Sequence, residues 1–258
     1  IILVIAVSPM IAPTIGGYVT AAFGWHWVFI ILAGIALLIM AAVYFYLPLG
    51  KKADSTISLK PRSVLANYFV VSKQPQFLIY TLAGGIAMAG PFAYIVGSSD
   101  VYMNIYGLTE QQYGWAFALV AFGMIGTTQL NHLLLRHFKS ESLIKVALFY
   151  QTIVGVTLVG GLLYTGYDIF GFTALVFLFV AGHGIMSPNV TALSMAPFTK
   201  HAGSASALLG SFRLGVGAVV SALVSLLHDG TSLPMAIIML MCSLIGLIIL
   251  NSGNAVVK

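Results

Sequence analysis

Residues 27–48 read WVFIILAGIALLIMAAVYFYLP, a run of 22 residues without a single charge. A helix needs about 20 mostly apolar residues to cross the roughly 30 Å hydrocarbon core of a bilayer, so this run predicts a transmembrane helix. Charged residues are 7% of the chain and hydrophobic residues 60%, whereas soluble domains carry about 25% charged residues. The alternating strands of about 10 residues that membrane barrels use do not describe the sequence. We therefore predict an all-α membrane protein.

Similar apolar runs, separated by polar breaks, extend along the whole sequence. They predict eight spans, at residues 1–21, 27–48, 76–98, 113–134, 143–165, 171–193, 203–227 and 233–252. The sequence begins inside the first run, with neither a methionine nor a basic segment before it. We interpret this as the truncated beginning of a longer protein rather than as a signal peptide.

The loops between the runs alternate in charge. Ten of the 11 basic residues belong to one set of loops: Lys51, Lys52, Lys60, Arg62, Lys73, Arg136, Lys139, Lys145, Lys200 and Lys258. The other set has no Lys or Arg and holds Asp100, Glu110, Asp168 and Asp229. The positive-inside rule predicts that the basic side, with the C-terminus, is cytoplasmic. Because the basic residues do not form one stripe, the net charge of +5 does not indicate nucleic-acid binding.

Residues 49–75 form the one long connection, and they divide the chain. The part after Pro61 is amphipathic and predicts a helix lying on the inner leaflet, either as a plain linker or as a switch that binds lipid or a partner. We predict three parts: two helices of a first bundle at 1–48, the linker at 49–75 and a second bundle at 76–258.

Arg213 lies near the middle of the seventh predicted span. A charge at that depth costs roughly 2.5–3.5 kcal/mol on insertion scales, so Arg213 is expected to point into the bundle. Small residues share its helix face and predict close helix packing: Gly203, Ser206, Gly210 and Gly217. Arg213 is either a cavity charge that contacts substrate or modulates protonation, or a structural residue hydrogen-bonded to helix carbonyls.

The sixth and third spans carry the other candidates for a substrate cavity. In the sixth, His183, Ser187, Thr191 and Ser194 form a polar stripe, while Asn189 points elsewhere and Pro188 predicts a kink. The stripe either faces a water-filled pathway or makes interhelical hydrogen bonds. In the third, Pro91 predicts either a broken helix, as at transporter sites, or a simple kink. Tyr94 beyond it either stacks on substrate or packs. We name Tyr94, His183, Asn189 and Arg213 as cavity candidates.

The sequence shows no pattern typical of an enzyme. No Asp or Glu lies inside a predicted span, and His183 is the one deeply placed residue that could carry a proton. The histidines lack metal-ligand spacing, and no phosphate loop, nucleophile elbow or HExxH motif occurs. We therefore predict no catalytic residues, no metal and no cofactor.

Several stretches of the sequence are similar to one known family. They are SPMIAPTIGG at 8–17, FGWHWVF at 23–29, FAYIVGS at 92–98, SPNVTAL at 187–193 and AGSASALLG at 202–210. They resemble the major facilitator superfamily, and within it the Bcr/CflA (bicyclomycin resistance-like) drug-resistance transporters. The first is similar to the antiporter signature G-x-x-x-G-P-x-x-G-G: Pro13, Gly16 and Gly17 match, and Ala12 replaces a glycine. Arg213 departs from the family, where a neutral residue is expected.

The resemblance implies a helical bundle of twelve helices in two six-helix halves, of which this chain would hold helices five to twelve. It implies a bacterial inner-membrane protein, expected to be a monomer, that exports small drug-like molecules by proton antiport with alternating access. Its partners would be the substrate, protons and the lipid bilayer. The signature would pack helices closely near the outer face, and the coupling carboxylates would lie in the first half. A dedicated carrier for an amino acid, sugar or peptide, or a non-transporting membrane fragment, are the alternatives.

Overall fold

The computed structural model describes residues 2–47 and 61–257, with side chains for 12–47 and 62–253. The described residues form ten α-helices and one π-helix, joined by short turns. The elements are α1 (Ile2–Phe23), α2 (His26–Tyr46), α3 (Pro61–Ser72), α4 (Pro75–Ala87), α5 (Gly90–Asp100), π1 (Val101–Ile105), α6 (Glu110–Leu134), α7 (Ser140–Tyr164), α8 (Ile169–Met195), α9 (Ala202–Leu226) and α10 (Leu233–Val257).

The helices have the lengths that membrane crossing requires. Seven segments of the described chain are long and apolar enough to span a bilayer, with α4, α5 and π1 counting as one segment, Pro75–Ile105. The prediction of an all-α membrane protein is therefore confirmed. Helix α1 coincides with the predicted span at 1–21, whose membrane crossing stays a prediction because side chains are described only from Ala12.

The third span is longer than predicted. Residues 99–105 were expected in a loop, but the helix continues through them to Ile105. Asp100 is tolerated there because its carboxylate is partnered: Oδ1 accepts a 2.7 Å hydrogen bond from Nδ2 of Asn104, and Oδ2 lies 3.6 Å from Nε2 of His228. The hydropathy pattern predicted an end of the span at residue 98, because hydropathy takes no account of the partners of Asp100.

The third span is also interrupted, as Pro91 predicted. Helix α4 ends at Ala87 and α5 begins at Gly90, with Met88 and Ala89 between them. Before the break, Gly84 and Gly85 let α4 approach its neighbours. A Cβ on Gly84 would overlap the side chain of Val190 in α8, and one on Gly85 would lie 2.6 Å from the ring of Phe212 in α9.

The predicted helix after Pro61 is α3, and it is docked on the bundle. Val71 is fully buried and packs in one cluster with Phe77, Ala205 and Leu209, at the beginnings of α4 and α9. The opposite side of α3 exposes Leu65 and Phe69, as expected of a helix in the membrane interface. Residues 48–60 of the linker lie outside the described residues, and the division into three parts stays a prediction.

The remaining helices pack into one bundle. Helix α8 lies against α6 and α7, α10 lies against α7 and α4, and α9 lies against α5. The largest core cluster is built around Tyr94, Tyr102, Phe172, Phe179 and Met239. Helix α1 packs along α6, and α2 contacts chiefly α1, with no buried residue of its own. The polar residues of α8 and α9 lie where these two helices meet α4.

Candidate substrate site

Arg213 is placed near mid-bilayer by its helix, as the twelfth of the 25 residues of α9. Its side chain is half-buried, and Nη2 donates a 2.9 Å hydrogen bond to the hydroxyl of Thr191 in α8. Nε is buried and has no hydrogen-bond partner among the described residues. Gly85 of α4 lies beside the arginine stem, since a Cβ there would be in van der Waals contact with Cγ of Arg213, at 3.9 Å.

No carboxylate in the described part of the chain pairs with Arg213. The contact between a basic side chain and a carboxylate that is found in the described residues joins Nε2 of His228 to Oδ2 of Asp100, 3.6 Å apart, at the end of α5. The other described acids lie at helix ends or in turns: Glu110, Glu141, Asp168 and Asp229. The charge of Arg213 is thus supported by a neutral hydroxyl, whereas charges inside membranes are normally paired with one another or with backbone carbonyls.

Thr191 connects Arg213 to the polar stripe of α8. Its hydroxyl accepts from Arg213 and donates a 2.9 Å hydrogen bond to the carbonyl of Ser187, one turn earlier. His183 lies a further turn back on the same side of the helix; it is half-buried, and its Nδ1 is buried without a partner among the described residues. The stripe and Arg213 are thus joined through Thr191 and form one polar region.

Asn189 faces away from this region, as its position in the helix predicted. Its Nδ2 donates a 2.6 Å hydrogen bond to Oδ1 of Asn131 in α6 and a 2.7 Å bond to the carbonyl of Ile185. Both asparagines are 1% exposed. Contact of Asn189 with a substrate stays a prediction, and it would require this buried pair to open. Sequence reasoning missed the role of Asn131, because nothing along the chain connects residues so far apart.

Tyr94 lies inside the aromatic core. It is 2% exposed and stacks on Phe117, with ring centroids 5.4 Å apart and an angle of 22° between the planes. Nearby, Tyr102 donates a 3.0 Å hydrogen bond to the hydroxyl of Thr173. In the described residues Tyr94 is thus engaged in packing, and its contact with substrate stays a prediction. The structure joins Arg213 to the polar stripe of α8 through Thr191, whereas Tyr94 and Asn189 are engaged in contacts with α6.

The small residues of α9 differ in how closely they pack. A Cβ on Gly217 would lie 3.2 Å from the ring of Phe92, so α9 does approach α5 closely there. A Cβ on Gly203 or Gly210 would meet no described atom within 4 Å, and Ser206 is exposed. Close packing is therefore found at Gly217, and at the other three positions it stays a prediction.

The signature-like stretch of α1 lies against the first turns of α6. A Cβ on Gly17 would lie 2.7 Å from the carbonyl oxygen of Glu110, and Thr14 donates a 3.2 Å hydrogen bond to the carbonyl of Gly114. Pro13 also touches Gly114, whereas a Cβ on Gly16 would meet nothing within 4 Å. Ala12 is exposed. Sequence reasoning identified one side of this contact and missed the α6 side, including Glu110, one of whose carboxylate oxygens is buried.

Among the described residues, no three His, Cys, Asp or Glu side chains come together as a metal site. The polar atoms of the α8–α9 region are hydroxyl, imidazole and guanidinium groups. Such a set offers hydrogen bonds and positive charge to a molecule that enters the bundle.

An interrupted helix and a polar region within a bundle of spanning helices are features of a multi-pass transporter. The chain belongs to the Major Facilitator Superfamily, which it matches over residues 1–222. This confirms the helical-bundle fold and the family resemblance, and it assigns the chain to a class of transporters rather than enzymes.

The relatives include transporters named for drug resistance. The chain is 31% identical over 251 residues to a bicyclomycin resistance protein homolog of Haemophilus influenzae, covering 96% of the chain and 62% of that protein. It is 28% identical over 214 residues to the multidrug resistance protein MdtL of a Shewanella species, covering 80% of the chain and 51% of MdtL. It is 25% identical over 212 residues to the multidrug transporter MdfA of Edwardsiella ictaluri, covering 79% and 50%. The chain thus spans between half and two thirds of the length of these relatives.

Proposed function

We propose that this chain is part of a secondary transporter that exports small drug-like molecules across the bacterial cytoplasmic membrane. The observation that carries the proposal is the superfamily match over residues 1–222, together with similarity to relatives named for bicyclomycin and multidrug resistance. A polar region around Arg213 and His183, buried among spanning helices, is consistent with a site at mid-membrane.

The distribution of charge supports an orientation. Basic residues of the connections, such as Arg136, Lys139 and Lys200, alternate with acidic connections along the chain. By the positive-inside rule, the end with these residues and the C-terminus faces the cytoplasm. The end with Asp100, Glu110 and Asp229 then faces outward. We propose that the transporter acts as a monomer in the lipid bilayer, with 1–48 and 76–258 belonging to two six-helix halves.

In that orientation the contact of α1 with α6 lies near the outer face. Gly17 sits against the backbone of Glu110, and Pro13 and Thr14 sit against Gly114. This close packing supports a closed outer end, which would prevent leakage while the site is open to the cytoplasm. Alternating access would then separate α1 from α6, because they belong to different halves.

We propose that export is coupled to proton antiport. Among the described residues, the acids lie at helix ends or in turns, so no carboxylate sits near Arg213 to exchange the proton. We assign the coupling carboxylate to the first half of the transporter, as the family resemblance implies. His183 is the titratable group of the polar region that remains as a candidate in this chain.

The proposal is tested with the complete coding sequence in a drug-hypersensitive host. Inverted vesicles are prepared and supplied with an energy source, and uptake of a panel of antibiotics and dyes is measured with and without a protonophore. Vesicles from the same host without the gene are the control. Uptake of several compounds that collapses with the protonophore is the expected result. A well-expressed protein that moves none of them would contradict drug export and favour a dedicated metabolite carrier.

A further inference from the structure

The environment of Arg213 indicates what kind of molecule the polar region can bind. An arginine side chain has five N–H donors and no acceptor. One of them is used by Thr191, and Nε is buried without a partner in the described residues. Taking a charge partly out of water without a counter-charge is costly. Binding of a hydrogen-bond acceptor at this site is therefore favourable, and binding of a negatively charged acceptor is the most favourable.

We propose that Arg213, held in place by Thr191, is an anion-binding group of the substrate site, and that transported molecules carry a carboxylate or another oxyanion. The inference rests on the proposed export function and names the substrate class for the same site. A guanidinium forms two parallel hydrogen bonds with a carboxylate, a stronger interaction than bonds between neutral groups. Thr191 uses one N–H of Nη2, so among the described residues the remaining N–H donors of the guanidinium are left for this contact.

The surroundings of Arg213 fit a small anion with an apolar body. The side chain is half-buried, so it remains reachable from the space beside α8 and α9. The ring of Phe212 packs over Gly85 on the adjoining helix face, which gives the region an apolar boundary. Nδ1 of His183, on the stripe that leads to Thr191, is buried without a hydrogen-bond partner among the described residues and adds a second polar group to the region.

The competing explanation is that Arg213 pairs with a carboxylate of the protein that lies outside the described residues. In that case its role is structural, and a substrate anion would be repelled by the carboxylate or would compete with it. The two explanations differ in one measurable property, the preference of the binding site for a charged ligand over its uncharged isostere.

The test uses 2-naphthoate and 2-naphthamide, which share a ring system and differ in the charge of the group offered to Arg213. Binding to the complete protein in lipid nanodiscs is measured by isothermal titration calorimetry at neutral pH. A charge-assisted hydrogen bond is stronger than one between neutral groups, so we expect the wild-type protein to bind naphthoate about tenfold or more tightly than naphthamide. In Arg213→Gln this preference should disappear, because naphthoate loses a charge-assisted contact and naphthamide loses only a neutral one.

Arg213→Lys is the second variant, because it keeps the charge while losing the planar fork. It should retain part of the preference, and it remains informative if Arg213→Gln does not fold. Equal affinity of the wild type for both probes, no naphthoate binding at millimolar concentration, or a preference that survives in Arg213→Gln would each overturn the proposal. The vesicle assay tests the export function separately from the anion site. Export of neutral dyes by a protein that shows no anion preference refutes the anion site alone. An anion preference in a protein that exports none of the compounds refutes the export function alone.

Discussion

Nη2 of Arg213 lies 2.9 Å from the hydroxyl oxygen of Thr191, and this hydrogen bond joins α9 to α8. The same hydroxyl donates to the carbonyl of Ser187, so its donor and its acceptor are both engaged. Thr191 thereby fixes the direction in which the guanidinium points. A side chain without the hydroxyl would leave the charge without this partner.

We predict that Thr191→Val lowers both the thermal stability of the bundle and the transport activity, whereas Thr191→Ser retains both. Valine has the shape of threonine without the hydroxyl, so the bond to Arg213 is lost at a cost of about 1–3 kcal/mol. Thermal unfolding and transport of the drug panel are measured for both variants. Serine keeps the hydroxyl and serves as the matched control. If valine and serine behave alike, the hydrogen bond does not position Arg213.

The second prediction concerns two neighbouring glycines of α1. Gly17→Ala would place a methyl group 2.7 Å from the carbonyl oxygen of Glu110, a backbone atom that cannot swing aside, whereas Gly16→Ala meets nothing within 4 Å. Both changes raise helix propensity by about 1 kcal/mol, so their difference isolates the contact with α6. We expect Gly17→Ala to reduce export and to speed the decay of a pH gradient across vesicles.

Gly16→Ala, the matched control for this contact, should transport like the wild type. Equal proton leak and equal export in the two variants would show that the contact between α1 and α6 does not seal the outer end.

The third prediction is that Gly84→Ala destabilises the bundle through Val190. The new methyl group would overlap the fully buried valine side chain, and overpacking of this kind costs about 1–3 kcal/mol. Val190→Ala in the same protein makes room and should restore most of the loss. Thermal unfolding of the single and double variants measures the coupling. Gly210→Ala, with no described atom within 4 Å of the new Cβ, is the neutral control.

The fold could be predicted from the sequence because the bilayer imposes helix length and charge placement. Apolar runs located the spans to within a few residues, and Pro91 located the break between α4 and α5. The one misplaced boundary, at residues 99–105, reflects an interaction across helices: Asp100 is stabilised by Asn104 and His228, and the second of these lies far along the chain.

The site was predictable only in part, for a related reason. Depth in the membrane follows from position along a helix, so the sequence could identify Arg213 as a charge deep in a predicted span. The rotation of one helix against another does not follow from position, and it decides which polar groups meet. The chain therefore did not reveal that Asn189 pairs with Asn131, or that Tyr94 is stacked on Phe117 within the core.

The fourth prediction concerns acid stability at the turn between α9 and α10. The side-chain hydroxyl of Thr231 and then its backbone N–H donate to Asp229, and these bonds hold the pKa of that carboxyl below its usual value of 3.8. A folded-state pKa below the unfolded one adds stability above the unfolded pKa, and this is lost as the pH falls through the folded pKa.

Thr231→Val removes the hydroxyl bond and should bring the pKa of Asp229 closer to its usual value. The acid side of the profile of melting temperature against pH, recorded down to about pH 3, should then be flatter than in the wild type. Thr231→Ser keeps the bond and should follow the wild-type curve. Parallel profiles for the valine variant and the wild type would show that Asp229 does not contribute to acid sensitivity.

The last prediction concerns the pair of buried amides between α6 and α8. Asn189→Leu keeps the branch point of the side chain but replaces the amide oxygen and nitrogen by methyl groups, which leaves Asn131 without its 2.6 Å partner in a place where both residues are 1% exposed. An unsatisfied buried amide costs about 1–3 kcal/mol, whereas replacing both partners by apolar groups is nearly neutral. Asn131→Leu should therefore be destabilising alone. The double variant with Asn131→Leu and Asn189→Leu should recover most of the lost stability.

The melting curves of the wild type, the two single variants and the double variant complete a double-mutant cycle. Export by the same four proteins separates the two roles proposed for Asn189. If the double variant is stable but no longer transports, the asparagine pair also has a role in transport; if it is stable and transports normally, the pair serves only to join α6 to α8.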